Sequence, residues 1–363
     1  MPALAARPPR FGVWAPVNGT WASFRHPEDP PDASWARNRG LVQEAERLGF
    51  ATTLLAQQTI NPWGDQFDQL EAWTAAAALA EATSRIEIIV AIKPALFHPV
   101  VLAKQALQIH EISRGRSAIN LVNGWYRPEI ERAGLPFPEH DARYAYGREW
   151  VLIVRDLLEG RRVSFAGRHF SIDGYQLRPG PWGGVRPAIY LGGESEPARA
   201  LTAEVGDVWL LNGRPPADLA PLVADLLARR RGGRPLRFGM AAFVIARPSE
   251  AEARAAHAEA LAIGRQDAVE VTALYANADP AVVMQQQVKR YADRVGTNGG
   301  TAAGLVDSYD AVAERILAFH AIGIETFMLQ FQPFEAEMRR FAYEIIPRVH
   351  DRLAAAGLER QFS

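Results

Sequence analysis

Three short segments of this 363-residue chain hold residue types that can bind or transform a ligand. In YLGGESEPARAL, Tyr190–Leu201, an apolar run ends in Gly192-Gly193, where the missing side chains let backbone come close to a ligand. Ser195 suits a helix N-cap, and Pro197 is tolerated in the first turn that follows. Exposed N–H groups at such a start, together with the helix dipole, favour a bound anion by up to ~2 kcal/mol. The same residues also make a plain capped turn with no ligand, and both readings stand. In NLVNGWYRPE, Asn120–Glu129, Asn120 falls inside an otherwise apolar strand. A buried amide without a partner costs ~1–3 kcal/mol, so Asn120 is either a satisfied core residue or a reader of a heteroaromatic ring's donors and acceptors. In EHDARYAYGREW, Glu139–Trp150, Asp141 can cap a helix whose first turn carries Arg143 and Tyr144. That pair holds a phosphate or a ring edge in one reading and is a solvated helix start in the other.

Other chemistries lack their spacing. The eight histidines form no HExxH or similar ligand pattern, which argues against metal catalysis. Gly193-x-Ser195 is half of a nucleophile elbow, but Pro197 stands where the second glycine belongs, so a serine hydrolase is not expected. No G-x-G-x-x-G follows a strand, and GTNGGTAAG at 296–304 lacks the lysine of a phosphate loop. The absence of cysteine removes disulfides, thiol nucleophiles and thiolate metal sites.

A hydrophobic content of 48% with 22% charged residues is ordinary globular material. The formal net charge of -1 offers no basic field for nucleic acid. No signal-peptide or membrane-spanning run is visible, which leads us to expect a cytoplasmic protein. Lysine appears only three times, with arginine carrying the rest of the positive charge, and we read this as a coding bias.

These segments sit at the ends of a repeating pattern. Short apolar runs alternate with stretches of helical period, the signature of a parallel sheet covered by helices. Strands are expected at Phe11–Pro16, Thr52–Ala56, Ile86–Ile92, Ser117–Asn123, Ala188–Gly192, Val208–Asn212, Phe238–Ala246 and Thr326–Phe331. Helices are expected near 34–49, 69–82, 98–113, 141–159, 195–205, 216–231, 249–261, 307–322 and 335–354. Eight strands, each followed by a helix, predict a (β/α)8 TIM barrel as a single domain over 1–363. Two insertions interrupt it: a hairpin at 162–178, and a glycine-rich stretch at 265–305 that reads as a mobile lid.

Taken together, the segments resemble the bacterial luciferase-like flavin monooxygenases. HPVVLAKQ, ISRGR and GGES carry the resemblance, and NLVNGW with HDARY points to the two-component group of dimethylsulfone, alkanesulfonate and pyrimidine monooxygenases. The similarity runs from Phe11 to about residue 350 and is weakest through 265–305. The resemblance implies FMN as cofactor, arriving as FMNH2 from a separate NAD(P)H-dependent flavin reductase and lying across the barrel mouth with O2 and a small organic substrate. It places Gln57, Gln58, Asn120 and Glu129 near the flavin, and Arg143, Tyr144, Gly193 and Ser195 around its ring edge and phosphate. Two departures accompany it. Some alkanesulfonate enzymes carry a cysteine near the flavin, and the best phosphate turn here follows strand five rather than strands seven and eight.

The expected reaction is oxidation of a sulfone or sulfonate with carbon–sulfur cleavage. Trp14, Phe97 and Trp125 are aromatic candidates for the substrate wall and equally for packing. His140 is a candidate proton donor, and Arg290, Arg294 and Arg340 are candidates to clamp an anionic substrate. No other side chain is assigned to catalysis, and a homo-oligomer is expected. The alternatives are hydride transfer by a deazaflavin (F420)-dependent relative, oxidation of a nitrogen heterocycle, and a non-catalytic flavin-binding sensor.

Overall fold

The computed structural model describes residues 7–229, 235–281, 290–291 and 293–357. Eight parallel strands close into a barrel: β1 (Arg10–Trp14), β2 (Thr52–Leu55), β3 (Glu87–Ile92), β4 (Ser117–Leu121), β7 (Ala188–Gly192), β8 (Val208–Asn212), β9 (Arg237–Phe243) and β12 (Ile324–Gln330). Closure runs through β1 and β12, where Arg10 to Val13 pair with Thr326 to Leu329. Each strand matches an expected one to within a few residues, because strands buried on both faces are nearly continuous apolar runs. Phe11, Val13, Ile88, Ile89, Leu191, Trp209, Phe238 and Phe327 are all buried in one core.

The outer helices are α1 (Trp35–Arg47), α2 (Ala72–Ala82), α3 (Pro99–Ile112), α4 (Arg127–Glu131), α5 (His140–Leu158), α6 (Glu196–Val205), α7 (Pro216–Arg229), α8 (Glu250–Gly264), α9 (Ala268–Asn277), α10 (Tyr309–Ala321), α11 (Phe334–Arg340) and α12 (Ile346–Ala355). Their starts follow side-chain chemistry. Ser34 caps α1, Ser249 and Glu252 close a capping box on α8, and Pro99 opens α3. The long last helix expected over 335–354 is broken by a π-helical turn, Phe341–Ile345, just before Pro347, which has no N–H to continue the ladder.

The hairpin expected at 162–178 is present as β5 (Val163–Ala166) and β6 (Ser171–Tyr175), antiparallel. Glu149 pins its turn by accepting N–H groups of Arg168 and His169, both at 2.8 Å. A second small sheet was not expected. β10 (Ile245–Arg247) leaves the barrel after Val244 and pairs in parallel with β11 (Val306–Ser308). The strand expected to run to Ala246 is thus two strands with different partners.

At the N-terminal end of the barrel Tyr190 donates to Glu87 at 3.2 Å and Arg10 pairs with Glu87 at 2.9 Å, filling that end with side chains. The C-terminal ends of the strands are left for a ligand. Among the described residues no helix is long and apolar enough to cross a membrane.

Candidate active site

An open cleft of ≈ 1340 Å³, mouth included, lies over the C-terminal ends of the barrel strands. Trp14 of β1, Ala91 of β3, Asn120 of β4, Gly192 of β7, Leu210 of β8 and Ala241 of β9 line its floor.

One corner is built for an anion. Ser195 caps α6, its hydroxyl accepting the Ala198 N–H at 3.4 Å. Gly193 has φ +95°, and a Cβ there would stand 2.7 Å from the Tyr144 hydroxyl. Only glycine gives this turn both its backbone angle and its clearance. The Tyr144 hydroxyl faces Ser195 and Asn123, and burial pushes its pKa up, so the phenol stays neutral and can donate. Glu194 is removed from competition: it accepts the Asn212 N–H at 3.0 Å and pairs with Arg214. Burial raises its pKa against that partner's pull. The His140 ring lies 4.8 Å from that of Tyr144, tilted by 40°, with Nδ1 3.1 Å from Asp141.

The neighbouring wall is polar and unpaired. Both amide atoms of Gln57, the amide oxygens of Gln58, Asn120, Asn123 and Asn18, and the indole N–H of Trp14 are buried without a hydrogen-bond partner. All six residues line the cleft. Each such atom costs ~1–3 kcal/mol. A cluster of them around one cavity is the mark of a site organised for a ligand that supplies the missing partners.

Beneath this wall Lys93 forms a buried ion pair with Glu129. Glu129 also accepts the Thr59 N–H at 2.7 Å. Lys93 lines the cleft, whereas Glu129 does not, so the carboxylate acts one layer behind. Burial pulls the Lys93 pKa down and Glu129 opposes that shift.

Several expected residues stand elsewhere. Arg143 pairs with Asp279, donates to the Pro138 carbonyl at 2.7 Å and lies 4.2 Å over the Phe137 ring. It lines a second, apolar pocket rather than the cleft. The Asp279 carboxyl is desolvated, yet the Ala281 N–H and Arg143 hold it below its usual value. Phe97 packs in the core and its carbonyl accepts the Trp150 indole N–H at 2.7 Å. Arg290 pairs with Asp218 at 2.9 Å, Arg294 donates to the Tyr275 hydroxyl at 2.7 Å, and Arg340 reaches Glu337 and the Tyr309 hydroxyl, both at 3.2 Å. None of these three arginines lines the cleft, so the anion clamp expected of them has no structural basis here. Trp14, Trp125 and His140 do line it.

The stretch expected as a lid falls partly on 282–289 and 292, outside the described residues. In its described part, Leu274, Ala281, Thr297 and Asn298 line the cleft. Leu274 of α9 packs with Phe24, Trp63 and Tyr126, and Val271 joins them. Asp267 anchors one end by accepting from the Ser23 hydroxyl at 2.6 Å and pairing with Arg25. Asp279 anchors the other through Arg143 and its own N–H to the Trp125 carbonyl at 2.8 Å. The glycine run is closely packed: a Cβ on Gly299 would stand 2.2 Å from the Gly213 carbonyl oxygen. Those glycines serve close approach.

Lys93, Asn18, Asn123, Trp21, Trp63, Thr297 and Asn298 also line the cleft and were not expected. Only Lys93 left a signal, a lysine set directly after the apolar run IIVAI. Among the described residues no cluster of three potential metal ligands occurs.

The family model for luciferase-like monooxygenases matches residues 17–326. An FMNH2-dependent dimethylsulfone monooxygenase of Pseudomonas fluorescens (strain Pf0-1) is 32% identical over 357 residues, covering 97% of each chain. Its namesake in Pseudomonas putida is 32% identical over 355 residues, covering 95% of this chain and 96% of that protein. Among solved structures, a riboflavin lyase with modified FMN and its substrate riboflavin superposes with TM-score 0.79 at 22% identity, covering 95% of this chain and 92% of that one. Barrel, cleft and relatives agree: the chain belongs to the luciferase-like monooxygenase family.

Proposed function

We propose that this chain is an FMNH2-dependent monooxygenase of a small, uncharged organosulfur compound, a sulfone in preference to a sulfonate. A separate NAD(P)H-dependent reductase would supply the reduced flavin. The observation that carries the cofactor reading is the wall of unpaired amide atoms beside a glycine-lined helix start. FMN fits that arrangement. The α6 N-terminus with Gly193 and Ser195 would hold the phosphate, and the neutral Tyr144 phenol would donate beside it. Asn120, Gln57 and Gln58 would read the ring edge.

When bound, the reduced flavin supplies the two electrons that let one atom of O2 enter the substrate while the other leaves as water. The chain's own residues bind, orient and exclude water. Leu274 and Trp63 would shield the cleft from water, and the Trp14 N–H remains as a donor for a neutral acceptor. His140 Nε2, the ring nitrogen not engaged by Asp141, is the atom placed to relay a proton at the rim.

The preference for a neutral substrate rests on charge. No arginine among the described residues lines the cleft, and its one lysine is matched by Glu129. With the flavin lying over that lysine, a desolvated sulfonate would meet no cation left free, at a cost of roughly several kcal/mol. The dimethylsulfone relatives support the same choice. Oxygen inserted at the carbon next to a sulfone gives a hydroxysulfone that divides into a sulfinate and an aldehyde. The test is O2 uptake with an added flavin reductase, together with sulfinate release from dimethylsulfone and sulfite release from methanesulfonate. The proposal requires sulfinate and aldehyde from the sulfone, with little turnover of the sulfonate. Turnover of the sulfonate alone removes the substrate reading, and product formation without O2 uptake removes the monooxygenase reading in favour of hydride transfer.

A further inference from the structure

Lys93 has no duty that structure alone explains. Its side chain is 4% exposed and that of Glu129 is fully buried, a costly arrangement that apolar residues often replace without loss. An ammonium has three N–H donors, yet among the described residues Lys93 donates only to Glu129. It is also the sole lysine or arginine among the described residues that line the cleft.

Its position around the rim gives the reason. The barrel order places β7, β4, β3 and β2 side by side. Going round, the rim carries the Gly193–Ser195 corner after β7, Asn120 in β4, Lys93 after β3, and Gln57 and Gln58 after β2. The β8 and β9 side of the cleft offers the apolar Leu210, Leu211 and Ala241, with Asn212 its one polar strand residue and no unpaired buried amide there. A ligand with its phosphate in the corner therefore satisfies the unpaired amides only by laying its ring along β4, β3 and β2. Lys93 stands in the middle of that arc. The oxidised isoalloxazine ring is neutral, whereas the reduced ring carries a negative charge over its pyrimidine edge near neutral pH.

We infer that Lys93, steadied by Glu129, is the residue by which this cleft selects the reduced, anionic flavin over the oxidised one. The inference rests on the FMN reading of the cleft. A lysine here rewards the charge gained on reduction, so the spent, oxidised flavin is released more readily. The buried pair then has a use: Glu129 keeps the ammonium charged and aimed while its remaining N–H groups are reserved for the ligand.

The test compares dissociation constants for oxidised FMN in air and reduced FMN under anaerobic conditions, on the full-length chain. The variants are Lys93→Met/Glu129→Gln, which removes both charges together, and Glu129→Gln, which removes the carboxylate that keeps Lys93 charged. Wild type should prefer reduced FMN. In the double variant that preference should shrink by about tenfold or more, the size of one charge-assisted hydrogen bond, with oxidised FMN bound nearly as before. Glu129→Gln should shrink the preference as well. Oxidised FMN serves as the internal control, because a merely structural role for Lys93 would weaken both forms alike. Should the double variant not fold, Lys93→Arg is expected to keep the preference and Lys93→Gln to lose it. An unchanged ratio in the charge-free variants overturns the role of Lys93 and leaves the flavin site standing. A wild type that binds neither form overturns the flavin reading and this inference with it.

Discussion

Asn120 is a polar residue kept in a barrel strand with its amide oxygen buried and unpaired, at 4% exposure. Replacing it by a leucine of similar size removes that unsatisfied atom. Asn120→Leu should therefore raise the stability of the ligand-free protein by ~1–3 kcal/mol while weakening FMN binding. Thermal unfolding and a binding titration on the same sample check both parts. A loss of stability with unchanged binding would instead make Asn120 an ordinary core asparagine. Gly193 gives a second prediction at this scale. An alanine there must adopt φ +95° and crowd the Tyr144 hydroxyl, with backbone strain of ~1–2 kcal/mol. Because the crowding is at the anion corner, Gly193→Ala should reduce affinity for FMN more than for riboflavin, which has no phosphate. Equal losses for the two ligands would move the phosphate elsewhere. Residues of this kind were legible in the sequence because each broke a local rule: a polar residue in an apolar strand, or paired glycines before a cap. Arg143 shows the limit. Its partner Asp279 lies 136 positions away, and nothing local distinguishes an arginine that grips a phosphate from one that grips a distant carboxylate.

The elements divide in the same way. The barrel strands could be placed from sequence because burial on both faces writes a continuous apolar run. β10 and β11 could not, since three-residue strands carry no period and Val244 continues the apolar run of β9 unbroken. The segment around α9 was visible as weakly patterned chain, but what ties it down was not. Arg25 with Asp267 and Arg143 with Asp279 hold its two ends to a loop and to the start of α5, which precede it by more than a hundred residues. Asp279→Asn keeps the shape and removes the charge from one of those ties. It should speed hydrogen exchange across 268–281 and raise the share of O2 consumed without product, because water reaches the site more often. An exchange rate and coupling equal to wild type would show that α9 is held by its apolar contacts with Phe24, Trp63 and Tyr126 alone.

At the scale of the whole molecule, the barrel separates stability from chemistry. The Arg10, Glu87 and Tyr190 network fills the N-terminal end, and the opposite end collects the unpaired polar atoms, the one cleft lysine and the capped helix start. That asymmetry suits a molecule that holds a cofactor, which under the proposed function it would receive from a reductase. Four of its tryptophans, Trp14, Trp21, Trp63 and Trp125, line the cleft and will report on anything that enters it. The most direct test is an anaerobic titration with reduced FMN that follows tryptophan fluorescence. Saturable quenching in the micromolar range, displaced poorly by oxidised FMN, is the predicted result. Fluorescence that does not change as reduced FMN is added would contradict the flavin site on which the proposed function stands.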